Sequence, residues 1–396
     1  MEYLSWLPRR DRVNLHAGPK PDDLKAVALQ RLVDSMVIDM PAAPLPRGSF
    51  GTFGYSDFEI EKEAIRLQIA IKQPRRWSID ICRSIAPLTM EINRLKKEKD
   101  VFLIAHTYQT PDITYGVADS VADSYALSKE ARDAPQKTIL FSSVRFMAET
   151  AKIVSPHKTV LHPSPKAGCS LSDGISAQDV RDLKSANPGV PVVCYINTSA
   201  EVKAECDVCV TSSNYLDICE SLPGDRLIFV PDRFMGGHLQ DFLKGRKEVL
   251  VYDGECEVHA DFTGKKIRRW RGNMKEHGID LMVLSHPECG PDVLEESDIV
   301  GSSEILKNEA IRLANEGKRD IMLITECGTA DRVLAETEEQ LNLIGACVMC
   351  RHMKTTRLED IMQALRDPTS EQIIELDEET IRRASRSLEE MFRLGD

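Results

Sequence analysis

Short runs that are apolar at nearly every position alternate along this chain with longer stretches whose apolar residues recur every three or four positions. Val101–Ala105, Thr138–Phe141 and Thr159–His162 read as strands, and Pro87–Lys99, Ser124–Ala131 and Met147–Val154 read as helices around them. The same order of strand, loop and helix returns with VPVVCYI, VCVT and LIFV, and again with IDLMVLS, SDIV and RDIMLIT. Strands apolar on both faces and separated by helices predict parallel sheets covered on each side. The expected fold class is therefore α/β, built from three similar αβα units plus an N-terminal extension. In such sheets the working residues lie beyond the carboxyl ends of the strands.

The predicted boundaries are the extension over 1–84, units over 85–178, 179–268 and 269–355, and closing helices within 356–396, at Thr356–Leu365 and Glu379–Leu394. In the extension, Asp22 is placed to cap a helix through LKAVALQRLVDSMV, and Pro41–Gly54 reads as a Pro/Gly linker. Ser56 and Glu59 form a capping box ahead of a helix that Pro74 ends. The extension carries no recognisable chemistry and reads as a docking or oligomerisation arm.

Polar residues repeat with the same period. Three apolar runs close in His106-x-Tyr108, Tyr195-x-Asn197 and His286-x-Glu288, spaced 89 and 91 residues apart. Cys169, Cys256 and Cys350 follow at intervals of 87 and 94. A further set is read at Ser142-Ser143, Ser212-Ser213 and Ser302-Ser303, after TILF, VCVT and SDIV. One module written three times, arranged around an axis, would bring three thiolates to one point.

Bulk properties narrow the class. A net charge of −12 over 396 residues argues against non-specific binding to nucleic acid or to a membrane surface. No apolar stretch approaches the roughly 20 residues of a membrane span, and the N-terminus has no continuous apolar core of an export signal. Eleven cysteines, an odd number, then fit a reducing cytoplasm, with most thiols packed as small hydrophobes.

The three matched cysteines favour a metal centre. Structural zinc usually takes four closely spaced ligands, whereas a cubane iron–sulfur cluster held by three thiolates would keep one iron open as a Lewis acid. Cys206-x-x-Cys209 has no counterpart in the other units and reads as core; a Cys347–Cys350 disulfide is the expected product of oxidation at the second CxxC. Glu288 is a candidate base, and His259, three residues after Cys256, belongs to the same surroundings. His157, His162, His238 and His352 fall outside the repeat and read as structural. The serines, with Asp123-Ser124 and Thr211, precede helices and could bind anions. Two other classes fit parts of this pattern: a cluster-based redox or iron sensor, and a zinc hydrolase.

At these residues the chain resembles the quinolinate synthases, iron–sulfur enzymes of NAD biosynthesis. The resemblance rests on AHTYQ (105–109), RFMAETAKIV (145–154), AGCSL (167–171), YINTSAEVKAE (195–205), TSSN (211–214), CEVH (256–259), HPEC (286–289) and Cys350 followed by MKTTRLED, in family order over about residues 86–396. It implies three αβα domains around a pseudo-threefold axis and a [4Fe–4S] cluster on Cys169, Cys256 and Cys350. The implied transferase reaction condenses iminoaspartate with dihydroxyacetone phosphate to quinolinate, with loss of phosphate and water. The resemblance also implies functional coupling to an iminoaspartate-producing oxidase or dehydrogenase. Carried over by motif, His106, Tyr108, Asp123, Ser124, Tyr195, Asn197, Ser212, His259, His286, Glu288 and Ser303 line the pocket, with Tyr108 and Glu288 as proton-transfer groups and His106 and His286 beside them. The chain departs from the family pattern at FSSV, Ala122, Ser303, Arg351 and PDRFMGGHL.

Overall fold

In the computed structural model, the described residues are 37–395, apart from 39, 49, 339, 340 and 346. The helix expected after Asp22 lies outside them. Three four-stranded parallel sheets carry the fold. The first runs β2 (Ser120–Ala122), β1 (Val101–His106), β3 (Thr138–Ser142), β4 (Thr159–Leu161). The second runs β6 (Val208–Val210), β5 (Val192–Tyr195), β7 (Arg226–Val230), β8 (Glu248–Val251), and the third β10 (Ile299–Val300), β9 (Met282–Ser285), β11 (Asp320–Ile324), β12 (Asn342–Ile344). The fold class is the one expected: α/β, with three similar αβα units. Central strands such as VVCY of β5 are buried at every position because helices cover both faces.

A shared device locks the three units. Asp119, Asp207 and Asp298 each stand just before β2, β6 and β10. Their carboxylates accept the backbone N–H of Leu103, Val192 and Val283, at 2.9, 2.8 and 2.8 Å. Each carboxylate is also paired with a cation, Lys96, Lys184 or Arg271. The clasp satisfies a strand N–H that would otherwise lack a partner.

Each unit has one more strand than the apolar runs disclose, and this corrects the serine alignment. By sheet order, TILF is β3, whose counterparts are β7 and β11, whereas VCVT and SDIV lead into the outer strands β6 and β10. The counterpart of Ser212 and Ser303 in the first unit is therefore Ser124, after the short β2, and not Ser142-Ser143. β2 escapes a hydropathy reading because its sequence, SVA, holds one large apolar side chain, Val121, between Asp119 and Asp123.

The first long helix begins at Ile79, not Pro87. Ser78 caps it by accepting the N–H of Ile81, and Pro87 sits inside. Its buried face starts with Cys82 and Ile85, so burial carries the helix through the proline. The preceding helix, Asp57–Ile71, has the expected Ser56–Glu59 capping box and ends at Lys72. Both pack into one apolar core with Trp77 and β1. The described part of the extension docks on its own chain. Ile38 donates to the Leu343 carbonyl on β12, and Arg76 forms a buried ion pair with Asp331 at 2.6 Å. The closing helices are Leu358–Arg366 and Glu378–Gly395. Among the described residues, no helix is long and apolar enough to cross a membrane.

Candidate active site at the carboxyl ends of three sheets

The carboxyl ends of the three sheets face one cavity. Each sheet sends its first strand toward it. His106 ends β1, Tyr195 ends β5 and His286 directly follows β9. All of Tyr108, Asn197 and Glu288, two residues further on, line the cavity with them. The outer strands β2, β6 and β10 deliver Asp123, Ser124, Ser212 and Ser303, and the loops after β4, β8 and β12 deliver Cys169, Cys256 and Cys350. His259 completes the set. Ser142 and Ser143 are buried outside it; the Ser142 hydroxyl donates to Gln109.

The specific sequence strings have local reasons. In YINTSAEVKAE, the buried ammonium of Lys203 donates to the carbonyls of Ile196 and Thr198, holding the loop that presents Asn197. Glu149 of RFMAETAKIV accepts the N–H of Ala200 at 3.0 Å, which seams the first unit to the second. Gly328 lets the helix Gly328–Glu336 approach the Tyr108 loop. A Cβ there would lie 2.6 Å from the Thr107 carbonyl oxygen and 2.8 Å from Tyr108 Cα.

Two histidines are set by the same local bond. His106 Nδ1 accepts the N–H of Tyr108 at 3.1 Å, and His286 Nδ1 accepts that of Glu288 at 3.3 Å. With Nδ1 accepting, the ring proton of each sits on Nε2. Burial, with the positive charges of Lys354 and Arg332 adding to it, pushes His106 down to about 3. Burial likewise pushes His286 down to about 3 against the pull of Glu288. Both rings are neutral N–H donors at neutral pH.

Glu288 is the hub. Its carboxylate accepts the Tyr195 hydroxyl at 2.6 Å and lies 3.0 Å from His259 Nδ1. Burial opposes its ionisation, but His259, His286 and these hydrogen bonds hold it below the usual carboxylate range. A neutral His286 contributes a dipole rather than a full charge, so the direct bonds from His259 and Tyr195 decide the direction. The Tyr108 hydroxyl is pushed well up by burial and by Glu288, so it stays protonated. It bonds Ser303 at 2.7 Å and Thr325 at 3.0 Å.

The donor set bears on what the cavity can hold. Cys169, Cys256 and Cys350 come one from each unit, and no other cysteine lines the cavity. Burial raises the Cys169 thiol to about 12 and the Cys350 thiol to about 11, and it raises Cys256 too, with Glu288 and Cys169 adding to the shift. Three such thiols ionise together only when a cationic group compensates them, which fits a metal cluster with three protein ligands. Cys256, His259 and Glu288 also place ligand atoms within 4.8 Å of one another, a set that fits a single ion.

Sequence reasoning missed several residues behind the cavity. Glu326 is fully buried and accepts the N–H groups of Gly328 and Cys350, at 2.6 and 3.2 Å. It pairs with Lys354 at 2.9 Å, and Lys354 in turn donates to the Tyr108 carbonyl. Glu326 and Lys354 fall outside the three matched sets, so only the folded chain brings them forward. His352, expected to be structural, lines the cavity. Cys347 pairs with Cys327, Cα atoms 5.3 Å apart, rather than with Cys350. The two follow the adjacent parallel strands β12 and β11, joined beyond their ends by the Glu326–Val348 bridge. Cys206 and Cys209 are buried in the second unit, away from the cavity.

Fold and cavity together define a class: a three-unit α/β protein whose single shared chamber is walled by thiols, imidazoles and phenols. Within that class the chain belongs to the quinolinate synthetase A protein family, whose model matches residues 90–393. It is 41% identical over 290 residues to the quinolinate synthase of Sinorhizobium fredii, covering 73% of this chain and 78% of that protein. It is 39% identical over 343 residues to that of Caulobacter vibrioides, covering 85% and 89%. It is 43% identical over 271 residues to quinolinate synthase 2 of Mesorhizobium japonicum, covering 68% and 81%.

Proposed function

We propose that this chain condenses iminoaspartate with dihydroxyacetone phosphate to quinolinate, releasing phosphate and water, as a transferase of NAD biosynthesis in the cytoplasm. The observation that carries this reading is the convergence of three thiols and the polar residues of all three units on one cavity, in a chain of this family. Cys169, Cys256 and Cys350 would hold a [4Fe–4S] cluster. When bound, the cluster would supply a Lewis-acidic iron free of a protein thiolate.

The chain's own residues do the rest. His106 and His286, neutral and protonated on Nε2, donate hydrogen bonds to substrate oxygens. Ser124, Ser212, Ser303 and Asn197 bind carboxylate or phosphate oxygens at the mouths of the outer strands, and Asp123 fixes this rim by accepting the Ser302 hydroxyl at 3.2 Å. Tyr108, protonated, faces the triose as it isomerises and loses its hydroxyl. Glu288, ionised and tied to His259 and Tyr195, provides the charge against which protons are moved. Iminoaspartate is short-lived in water, so its source is an oxidase or dehydrogenase acting on an amino acid.

The test is anaerobic purification followed by assay with both substrates. The expected protein is brown, carries about four irons per chain as a cubane requires, and forms quinolinate. Colourless protein with stoichiometric zinc would instead favour the single-ion set of Cys256, His259 and Glu288, and would end this reading.

A further inference from the structure

Six side chains from all three units form one hydrogen-bonded line through the wall of the cavity. Tyr195 bonds Glu288 Oε1 at 2.6 Å, and Glu288 Oε2 lies 3.0 Å from His259 Nδ1. His259 Nε2 lies 3.0 Å from Thr325 Oγ1, which lies 3.0 Å from the Tyr108 hydroxyl. Ser303 closes the line at 2.7 Å from Tyr108. Thr325 is buried just past the end of β11, and it is the one member absent from the candidates read from the sequence.

A carboxylate only accepts, so the His259 proton that faces Glu288 sits on Nδ1. Thr325 Oγ1 lies at hydrogen-bond distance from both His259 Nε2 and the Tyr108 hydroxyl. One threonine hydroxyl therefore ties the phenol, which belongs to the first unit, to the imidazole that Glu288 holds.

We propose that Thr325 is the positioning residue that aims the Tyr108 hydroxyl. It holds the phenol oxygen between Ser303 and His259, fixing where that oxygen meets the substrate. The inference rests on the quinolinate-forming reading above for its kinetic consequence, but not for its geometry. A valine in place of Thr325 keeps the branched shape and removes the hydroxyl, leaving both Tyr108 and His259 without their partner. A serine keeps the hydroxyl.

The test compares Thr325→Val and Thr325→Ser with the parent, each loaded to the same iron content. For Thr325→Val we expect kcat to fall about 100-fold, the low end of proton-transfer contributions, with KM changed less than about threefold. Thr325→Ser should recover to within about fivefold of the parent. A valine variant with parental kcat, or a serine variant as slow as the valine one, overturns the proposal. A crystal structure of Thr325→Val decides the geometry independently. A Tyr108 hydroxyl that leaves its parental position supports the proposal, and one that stays within coordinate error overturns it. A parent that makes no quinolinate defeats the functional reading alone, and the crystal structure still decides whether Thr325 holds the phenol.

Discussion

Two trios of cysteines, one buried and one half-buried, invite comparison. Cys194, Cys206 and Cys209 sit in and beside strands of one unit, hydrogen-bonded among themselves within an apolar core. Cys169, Cys256 and Cys350 arrive one per unit on loops beyond strand ends, where they share a cavity with His259 and Glu288. Local spacing favours the first trio, which contains a CxxC, and only the long period favours the second. Placement beyond the ends of parallel strands, with the partial exposure that comes with it, separates a thiol available for chemistry from one that fills space, and local spacing does not.

The sharpest way to break this comparison is to remove one cavity thiol and, separately, two core thiols that belong to neither trio. Cys256→Ser should lower iron from about four per chain to less than one and abolish quinolinate formation, whereas Cys219→Ser and Cys82→Ser should keep both. Equal iron in the Cys256 and Cys219 variants would erase the distinction. Next in size, Glu326→Gln should cost roughly 10-fold in activity or iron retention, the lower range for groups that orient metal ligands. Its target is the Cys350 N–H and Lys354, so iron release on dilution into chelator is the measurement.

A smaller effect probes the core through His162, buried with Nε2 against the Ser143 carbonyl. Burial pushes this ring down to about 4, so it is neutral when folded. Its stabilising share is whole above pH 6.5, where the unfolded ring is also neutral, and is lost as the pH falls from 6.5 towards 4. The loss reaches up to about 3 kcal/mol. Denaturant titrations across that range should show the loss, and His162→Gln should flatten it. Smallest of all, Cys209→Ala should cost about 1–2 kcal/mol of stability and leave iron untouched. A Cys209 variant that sheds iron would place the core trio in the chemistry.

The period near 90 residues exposed the three units because it is carried by polar residues that hydropathy alone does not explain. It led directly to His106, Tyr195, His286 and their neighbours. The serine alignment failed in the first unit because β2, SVA, has a single large apolar residue where β6 has VCV and β10 has IV, which moved the match to the next strand. The clasps at Asp119, Asp207 and Asp298 are spaced 88 and 91 residues apart, yet a lone aspartate before a strand resembles any loop residue. Thr325, Glu326 and Lys354 were illegible for another reason. Thr325 and Lys354 bond residues of other units, and Glu326 binds backbone N–H groups that only the folded loop brings to it, so no local pattern records these contacts.

Each sheet is clasped within its own third of the chain, whereas every wall of the chamber is contributed by a different third. Mild chaotrope that loosens the seams should therefore silence the protein while circular dichroism still reports intact helices and strands. What fails first on gentle perturbation is the alignment among the thirds, and the folding of any one of them fails later.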